Sequence, residues 1–370
     1  MTHNINGRSE THIFLCGSIY TLFSAINICE NFTSDEECDL LYFFSSHDEK
    51  DRVSALLEGS GTFKNVYFCI DVRKNKLLAA TFIFLTTLFQ KNLTKLNGSQ
   101  IQYTKYSVAY SQNALFLAVA QNTFGFDRVA YIDEGLSSYT GKTINIKYRN
   151  KALKILNAFS ANNLLTPSEY YLYATKMYVG PSVSIKEITW ALPSSIIKNS
   201  QRSCRKSTEI FNNNRIIFLP NYIASIANLL DHKSNYSHKF EKRVDAMFKR
   251  VLNSFNFPVV CRPHPNSSSM ELKSSKIIYD SNTCPWEILA ENITEKHVLV
   301  TYFSTTCFIP KIIYDTEPHI LFLYRLLPEK VLNADEMLIK FKTTYSDKSK
   351  ILAPSSYAEL DEHVRSILSN

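Results

Sequence analysis

Short apolar runs alternate with longer amphipathic segments through the first third of the chain. In the longer segments, apolar residues recur every three or four positions, as they do in helices, whereas the short runs have the length of buried strands. The predicted strands are residues 12–16, 39–44, 66–72, 106–111 and 128–132, and the predicted helices are residues 20–31, 50–57, 77–89 and 114–124. Strands separated by helices predict βαβ units and a mostly parallel sheet.

The same alternation returns in the second half of the chain. Strands are predicted at residues 216–219, 258–261, 276–279, 298–302 and 319–324, and helices at residues 240–255, 286–291, 305–313 and 357–368. The stretch between the halves is less regular, with a helix predicted at 151–159 and a polar segment at 196–214 that we interpret as a linker. The pattern predicts two doubly wound α/β domains, residues 1–195 and 215–370, facing a central cleft.

Length and composition agree with this organisation. A chain of 370 residues has room for two domains, and 45% hydrophobic with 20% charged residues is ordinary for a globular protein. No apolar run reaches the roughly 18 residues that cross a bilayer, and residues 77–89 come nearest. The polar segment 1–11 lacks the apolar core of a signal peptide, so a cytoplasmic protein is expected.

The placement of the cysteines and the net charge argue against a zinc protein and against a nucleic-acid-binding protein. The eight cysteines are scattered without a C-x-x-C pair, so buried reduced thiols are expected and a zinc site is disfavoured. The formal net charge of +7 fits either a solvated basic surface or attraction to an anion such as a nucleotide phosphate, an acidic glycan or a membrane face. Without a long Lys/Arg run, nucleic acid is a disfavoured partner.

The first candidate for chemistry is an acidic turn directly after the predicted strand 128–132. Asp133 and Glu134 are followed by Gly135, which lets the backbone turn sharply at the strand end. Ligands of open α/β sheets bind beyond the carboxyl ends of the strands, so a carboxylate there can serve as a general base. An ordinary Asp-Glu-Gly surface turn explains the same residues equally well.

A second candidate follows the predicted strand 258–261. Pro263 and Pro265 hold the backbone extended around His264, and Arg262 adds a positive charge. A fixed imidazole at a strand end can donate a hydrogen bond or a proton to a leaving phosphate. The alternative is a loop histidine between two turn-forming prolines.

Two further segments complete the set. Ser304, Thr305 and Thr306 follow the strand 298–302, where hydroxyls and backbone N–H groups bind phosphate well; a plain helix cap is the alternative. Glu287 follows Pro285 at a predicted helix start, where its carboxylate can bind ribose hydroxyls or simply be a solvated first-turn acid. Each of these signals is weak alone, and their order along the chain is the more informative feature.

That order resembles the bacterial sialyltransferases of the lipooligosaccharide sialyltransferase and capsule polysialyltransferase type, which share D/E-D/E-G, HP and S-S/T motifs. In this chain the motifs are Asp133-Glu134-Gly135, His264-Pro265 and Ser304-Thr305. Residues 12–18 are also similar to the first strand and loop of that family. The resemblance spans most of the chain, although each motif is short.

The resemblance implies a GT-B-like fold and an inverting transfer of sialic acid from CMP-sialic acid, without a metal or another cofactor. It implies a role for each motif residue, with Glu134, Gly135 and Pro265 in support. Asp133 would be the general base, His264 would assist the departing CMP phosphate, Ser304 with Thr305 or Thr306 would bind that phosphate, Arg262 would add charge, and Glu287 would bind the ribose.

Several alternatives stay open. The alternatives are a transferase that uses CMP-Kdo or a UDP-sugar as donor, and a catalytically silent binding protein of a surface-glycan pathway. The acceptor glycan, lipooligosaccharide or capsule, is not readable from the sequence. The resemblance is compatible with a homodimer, and the positive charge is compatible with peripheral attachment to the inner membrane.

Overall fold

A computed structural model gives the structure of the protein and describes residues 10–71, 94–95, 105–139, 167–180, 182–220, 230, 238–255, 257–263, 276–280, 284–331 and 333–369. The chain divides into two compact units, Met1–Ser200 and Gln201–Asn370, and each unit is built on one sheet.

The sheet of the first unit has eight strands in the order β4-β3-β2-β1-β5-β6-β7-β8. The strands are β1 (Thr11–Cys16), β2 (Glu37–Phe44), β3 (Asn65–Ile70), β4 (Thr94–Lys95), β5 (Tyr106–Tyr110), β6 (Phe126–Ile132), β7 (Glu169–Leu172) and β8 (Ile185–Glu187). Only β4 runs antiparallel to its neighbour, and the strand order reverses between β1 and β5. This reversal is where doubly wound sheets bind their ligands.

Helices follow the strands as the hydrophobic pattern predicts. The described helices of this unit are α1 (Ile19–Phe32), α2 (His47–Leu57), α3 (Ala114–Thr123), the short α4 (Leu136–Tyr139) and the 3-10 turn Thr175–Met177. At the start of α1, the Ser18 hydroxyl accepts from the Thr21 N–H at 3.2 Å, and the Thr21 hydroxyl accepts from the Ser18 N–H at 3.2 Å. This capping box ends β1 sharply and places the start of α1 at the reversal point.

The sheet of the second unit has six strands in the order β11-β10-β9-β12-β13-β14, all parallel. They are β9 (Ile216–Phe218), β10 (Val259–Cys261), β11 (Ile277–Tyr279), β12 (Val298–Thr301), β13 (His319–Phe322) and β14 (Ile351–Leu352). The described helices are α5 (Ser194–Asn212), α6 (His238–Ser254), α7 (Trp286–Leu289), α8 (Ile309–Tyr314), α9 (Ala334–Thr344) and α10 (Tyr357–Ser369), with 3-10 turns at Ala290–Asn292, Thr305–Phe308, Tyr324–Leu326 and Lys348–Lys350. Here the order reverses between β9 and β12, as in Rossmann domains.

The predicted strands of both halves are present, and their buried residues form the two cores. The prediction did not include the strands β4, β7, β8 and β14, which are short and lack a long apolar run, nor the helices α4 and α9. The helices predicted at 77–89 and 151–159 lie outside the described residues.

The segment 196–214, interpreted as a linker, is helical over most of its length, and the division between the units falls within α5. Its buried positions follow helical spacing: Ile196, Ser200, Cys204, Ser207 and Phe211. Because serines and a cysteine fill three of these five positions, the buried stripe has little hydrophobic contrast, and the sequence resembles a polar linker.

The expectation that every cysteine is a reduced thiol is wrong for one pair. Cys204 of α5 and Cys284, just before α7, form a disulfide with 4.8 Å between their Cα atoms. The two cysteines are 80 residues apart, so no sequence spacing indicated the pairing. The other six cysteines are buried free thiols, as expected. Within the described residues, no helix combines the length and apolar character needed to span a bilayer.

Candidate functional site

Asp133 lies immediately after β6, at the carboxyl-terminal edge of the first sheet, and its side chain is fully buried. The Gly135 N–H donates to its Oδ1 at 2.8 Å, and the Tyr139 hydroxyl donates to its Oδ2. The Tyr173 N–H, beyond the end of β7, approaches Oδ2 at 3.5 Å. Donors from its own turn and from the neighbouring strand end therefore hold the carboxylate.

The environment of Asp133 suits a base that works near neutral pH. Burial raises the pKa of Asp133 to about 6, although hydrogen bonds from Tyr139 and Gly135 act to lower it. The Tyr139 hydroxyl also accepts from the Ala174 N–H at 3.3 Å, which fixes its position. A carboxylate of this pKa is ionised at pH 7 and basic enough for general-base catalysis. Because it is enclosed, an acceptor hydroxyl reaches it only when neighbouring atoms move aside.

Glu134 is the more accessible of the two acids, since it is only half-buried. Its Oε1 accepts from the N–H of Gln112 at 3.3 Å, just past the end of β5, so it lies beside the reversal of strand order. Its own N–H donates to the Ser138 hydroxyl at 2.8 Å. Gly135 has φ +98°, a left-handed conformation that disfavours side chains and explains why glycine ends the motif.

In the second unit, Arg262 follows β10 and is engaged by the protein itself. One guanidinium nitrogen pairs with the carboxylate of Asp280, which follows β11, and the other donates to the carbonyl of Cys284. The Ser207 hydroxyl of α5 donates to the same Asp280 carboxylate at 2.8 Å. Arg262, predicted to meet the donor, thus holds the turn that leads into α7.

Glu287 lies in the first turn of α7 and is 8% exposed. Burial raises the pKa of Glu287 to about 7, which its own N–H and the charge of Arg262 only partly offset. In the part of the chain that the structure describes, no side chain donates a hydrogen bond to this carboxylate. A buried acid without a side-chain donor is costly, and a ligand that supplies donors would relieve that cost.

The Ser304–Thr306 segment follows β12 and contacts α7 directly. The Trp286 indole N–H donates to the Thr306 carbonyl at 2.8 Å, which links the two segments. The Ser304 hydroxyl accepts from the Thr306 N–H at 3.3 Å and donates to the Thr306 hydroxyl at 3.0 Å. Thr305 is buried, whereas Ser304 and Thr306 are half-buried, so those two hydroxyls are the accessible pair.

The structure brings together the described parts of all three predicted segments of the second unit: Arg262, the turn with Glu287, and Ser304–Thr306. Arg262 follows β10 and Ser304–Thr306 follows β12, the two strands that flank β9 next to the reversal of strand order, and the Glu287 turn comes after β11. His264 and Pro265 lie outside the described residues.

Comparison with known proteins identifies the architecture. No family model matches the chain, and no curated protein matches it. A solved UDP-N-acetylglucosamine 2-epimerase aligns with a TM-score of 0.51 at 10% identity, covering 98% of this chain and 88% of that one. The chain has a GT-B fold.

Two glycosyltransferase structures align less closely over similar lengths. The calicheamicin glycosyltransferase has a TM-score of 0.45 at 11% identity, covering 98% of this chain and 91% of that one. A glycosyltransferase from Streptomyces nogalater has a TM-score of 0.41 at 9% identity, covering 98% and 95%. At these identities the GT-B likeness concerns the fold and leaves the substrate open.

Sequence reasoning missed several residues that position the site: Tyr139, Tyr173, Asp280 and Trp286. The tyrosines lie in aromatic-rich stretches typical of a core, and no spacing rule links them to Asp133. Asp280 directly follows a predicted strand, as Asp133 does, so its strand-end position was the available signal.

A histidine and two glutamates also meet at the opposite, amino-terminal edge of the first sheet. The ligand atoms of Glu10, His12 and Glu36 lie within 4.8 Å of one another. His12 Nε2 is 2.5 Å from a Glu36 oxygen, while Arg128 pairs with Glu10. Protein partners therefore already satisfy this group, and we interpret it as a structural hydrogen-bond cluster.

Proposed function

We propose that the protein is an inverting, metal-independent glycosyltransferase that transfers sialic acid from CMP-sialic acid to a cell-surface glycan. The single observation that carries the proposal is the buried Glu287 carboxylate, which has no side-chain donor among the described residues and lies next to Trp286, whose indole N–H donates to the Thr306 carbonyl. The order of motifs along the chain, with an acid in the first unit and the donor segments in the second, supports the choice of sialic acid.

On the acceptor side, Asp133 takes the proton of the acceptor hydroxyl as that oxygen attacks the anomeric carbon. Its pKa of about 6 leaves it deprotonated at neutral pH, and Tyr139 keeps its orientation fixed. Glu134, at the edge of the same turn, is the alternative base because it is more accessible.

On the donor side, the hydroxyls of Ser304 and Thr306 bind the CMP phosphate and Glu287 accepts hydrogen bonds from the ribose. Thr305 supports the loop from its buried position. His264 neutralises charge on the departing phosphate, as the family resemblance implies. The bond to the phosphate oxygen breaks as the bond to the acceptor oxygen forms on the opposite face, which inverts the anomeric centre.

The transfer of sialic acid from CMP requires few catalytic groups beyond these residues. The transition state for leaving a tertiary anomeric carbon is oxocarbenium-like, and the leaving group is already a phosphate monoester anion. Catalysis then consists of positioning, one proton acceptor and stabilisation of charge on CMP.

A donor panel with matched variants tests the proposal. The protein is incubated with CMP-sialic acid, CMP-Kdo and UDP-sugars over a glycan acceptor array, and nucleotide release and products are measured by mass spectrometry. We expect CMP release and a sialylated product, weakened in Glu287→Gln and retained in Glu291→Gln, which alters an exposed acid nearby. UDP release without CMP release contradicts the donor, and nucleotide binding without turnover indicates a silent binding protein.

The proposal includes a location at the cytoplasmic face of the inner membrane, with attachment through the net charge of +7. Such attachment weakens as salt screens the charges. Salt-washed membranes should therefore release the protein; retention in the pellet at high salt contradicts a purely electrostatic attachment.

A further inference from the structure

The Cys204–Cys284 disulfide joins α5 to the turn that carries Glu287. Cys284 lies directly before Pro285 and three residues before Glu287, so movement of Cys284 is transmitted to the start of α7. Both cysteines are buried, at 4% and 1% exposure, and their Cα separation of 4.8 Å is within the usual range for a disulfide.

The Cys284 residue is held at two points. Its carbonyl accepts from the Arg262 guanidinium, while its sulfur is bonded to Cys204. Arg262 follows β10 and pairs with Asp280 after β11, so this contact attaches Cys284 to the ends of those two strands. The disulfide attaches Cys284 to α5. Loss of the disulfide leaves Cys284 held by Arg262 alone, while Trp286 of α7 still donates to the Thr306 carbonyl, so the turn gains freedom at its Cys284 end.

A cavity of about 400 Å³ lies beside the disulfide and gives it a route to small molecules. Gln201, Cys204 and Thr208 line it from α5, and Ile288 and Glu291 line it from α7 and the turn that follows. A buried thiol reacts only when a partner can approach it, and this cavity reaches Cys204 itself.

We propose that Cys204 and Cys284 form a thiol-oxidation site that fixes the Glu287 turn, so that nucleotide binds more tightly to the oxidised protein. The part concerning nucleotide rests on the proposed function. In the reaction, the two thiols lose two protons and two electrons as their S–S bond forms. A small disulfide such as glutathione disulfide takes up both and becomes two thiols.

The test begins with the full-length protein, reduced or equilibrated with glutathione disulfide. Disulfide mapping by mass spectrometry should find Cys204 joined to Cys284 in the oxidised sample. Hydrogen exchange of residues 284–289 should be slower there than in the reduced protein, because the second attachment restricts opening of the turn. Calorimetry with CMP should give an affinity lower by about tenfold or less after reduction, since binding must then order the turn.

Variants separate this effect from general thiol chemistry. Cys204→Ala leaves Cys284 and its Arg262 contact in place, and it should show the reduced behaviour under both conditions. The double variant Cys204→Ser/Cys284→Ser should behave in the same way. Cys69→Ala, which alters a buried free cysteine of the first unit, should respond to oxidation like the wild type.

The outcomes distinguish the two proposals. If the pair stays reduced in glutathione disulfide, or if exchange of 284–289 is the same in both states, the oxidation site is overturned. If exchange slows but CMP affinity does not change, the coupling to nucleotide is overturned. If exchange slows and neither state binds CMP, the oxidation site stands while the nucleotide site at Glu287 is rejected.

Discussion

Two buried carboxylates, one in each unit, differ in the hydrogen-bond donors that surround them. Burial raises the pKa of both Asp133 and Glu287, to about 6 and about 7. Asp133 is surrounded by donors from Gly135, Tyr139 and Tyr173, whereas no described side chain donates to Glu287. The protein holds the first acid with several hydrogen bonds, which suits a proton acceptor, whereas the second has no side-chain donor among the described residues, which suits a ligand-binding group.

The largest effect that distinguishes the two acids is expected for Asp133→Asn. Loss of the base should lower kcat about 10²–10⁴-fold with little change in donor KM, because the base acts in the transition state. Steady-state kinetics with CMP-sialic acid measure it. Asp127→Asn, an exposed acid on the same strand paired with Lys105, is the control and should be near wild type.

Glu134→Gln decides between the two acids of the motif. A larger loss of kcat in this variant than in Asp133→Asn moves the base to the accessible neighbour. Wild-type activity in both Asp133→Asn and Glu134→Gln would show that the general base does not lie in this turn.

Glu287→Gln should act on binding. Weaker hydrogen bonds to the ribose are expected to raise the donor KM on the order of 10–100-fold, with a smaller change in kcat. The matched variant Glu291→Gln should leave KM unchanged. A loss confined to kcat would contradict a ribose-binding role and make the two carboxylates functionally alike.

Glu287→Gln, which is expected to weaken donor binding, is expected to make the folded protein more stable at high pH. Because the pKa of Glu287 is raised from 4.5 to about 7, the folded state retains its proton longer than the unfolded chain. Stability therefore falls as pH rises from about 4.5 to 7, by an upper limit of roughly 3 kcal/mol. Glu287→Gln should unfold at higher denaturant than wild type at pH 8 and show no such gain at pH 4; equal midpoints at pH 8 would argue that the carboxylate is not desolvated.

Tyr139→Phe tests whether the protein tunes Asp133. Removal of the hydroxyl takes away a hydrogen bond that lowers the pKa of Asp133, so this pKa should rise by about one unit. The acid limb of the kcat/KM profile should move to higher pH by the same amount, with activity recovering at pH 8 and above. Tyr345→Phe, which changes a buried tyrosine of the other unit, should leave the limb in place, and an unmoved limb in Tyr139→Phe would contradict the tuning.

Ser304→Ala should give the smallest effect, a loss of CMP affinity of roughly three- to tenfold, as expected for one neutral hydrogen bond. Calorimetry measures it, with the exposed Thr343→Ala as control. Unchanged affinity would indicate that the Ser304 hydroxyl serves only its contacts with Thr306.

Local patterns were sufficient for much of the fold. Val298–Thr301 and Thr11–Cys16 are apolar runs of strand length, and each was predicted because burial on both faces requires such runs. The helix Ser194–Asn212 was not predicted, because serines occupy buried positions where a helical pattern requires apolar residues. A helix of this kind is defined by its contacts, which a single sequence does not contain.

The candidate site shows the same limit. Asp133 and Glu287 could be proposed from their places beside strands and helix starts. That Arg262 would pair with Asp280 depends on which strands are neighbours in the sheet, and β10 with β11 become neighbours only after folding. The tuning of Asp133 by Tyr139 depends likewise on a side-chain direction that spacing does not specify.

The helix Ser194–Asn212 has a practical consequence for dividing the chain into fragments. Its residues up to Ser200 belong to the first unit, in which the Asn199 side chain donates to the carbonyls of Leu56 and Glu58. The rest belongs to the second unit, with a hydrogen bond to Asp280 and the disulfide to Cys284. A fragment that begins at Gln201 would start inside the helix, and the first N–H groups of the shortened helix would lack hydrogen-bond acceptors. Separate expression of the second unit is better begun at Pro193, so that the helix keeps its natural first turn.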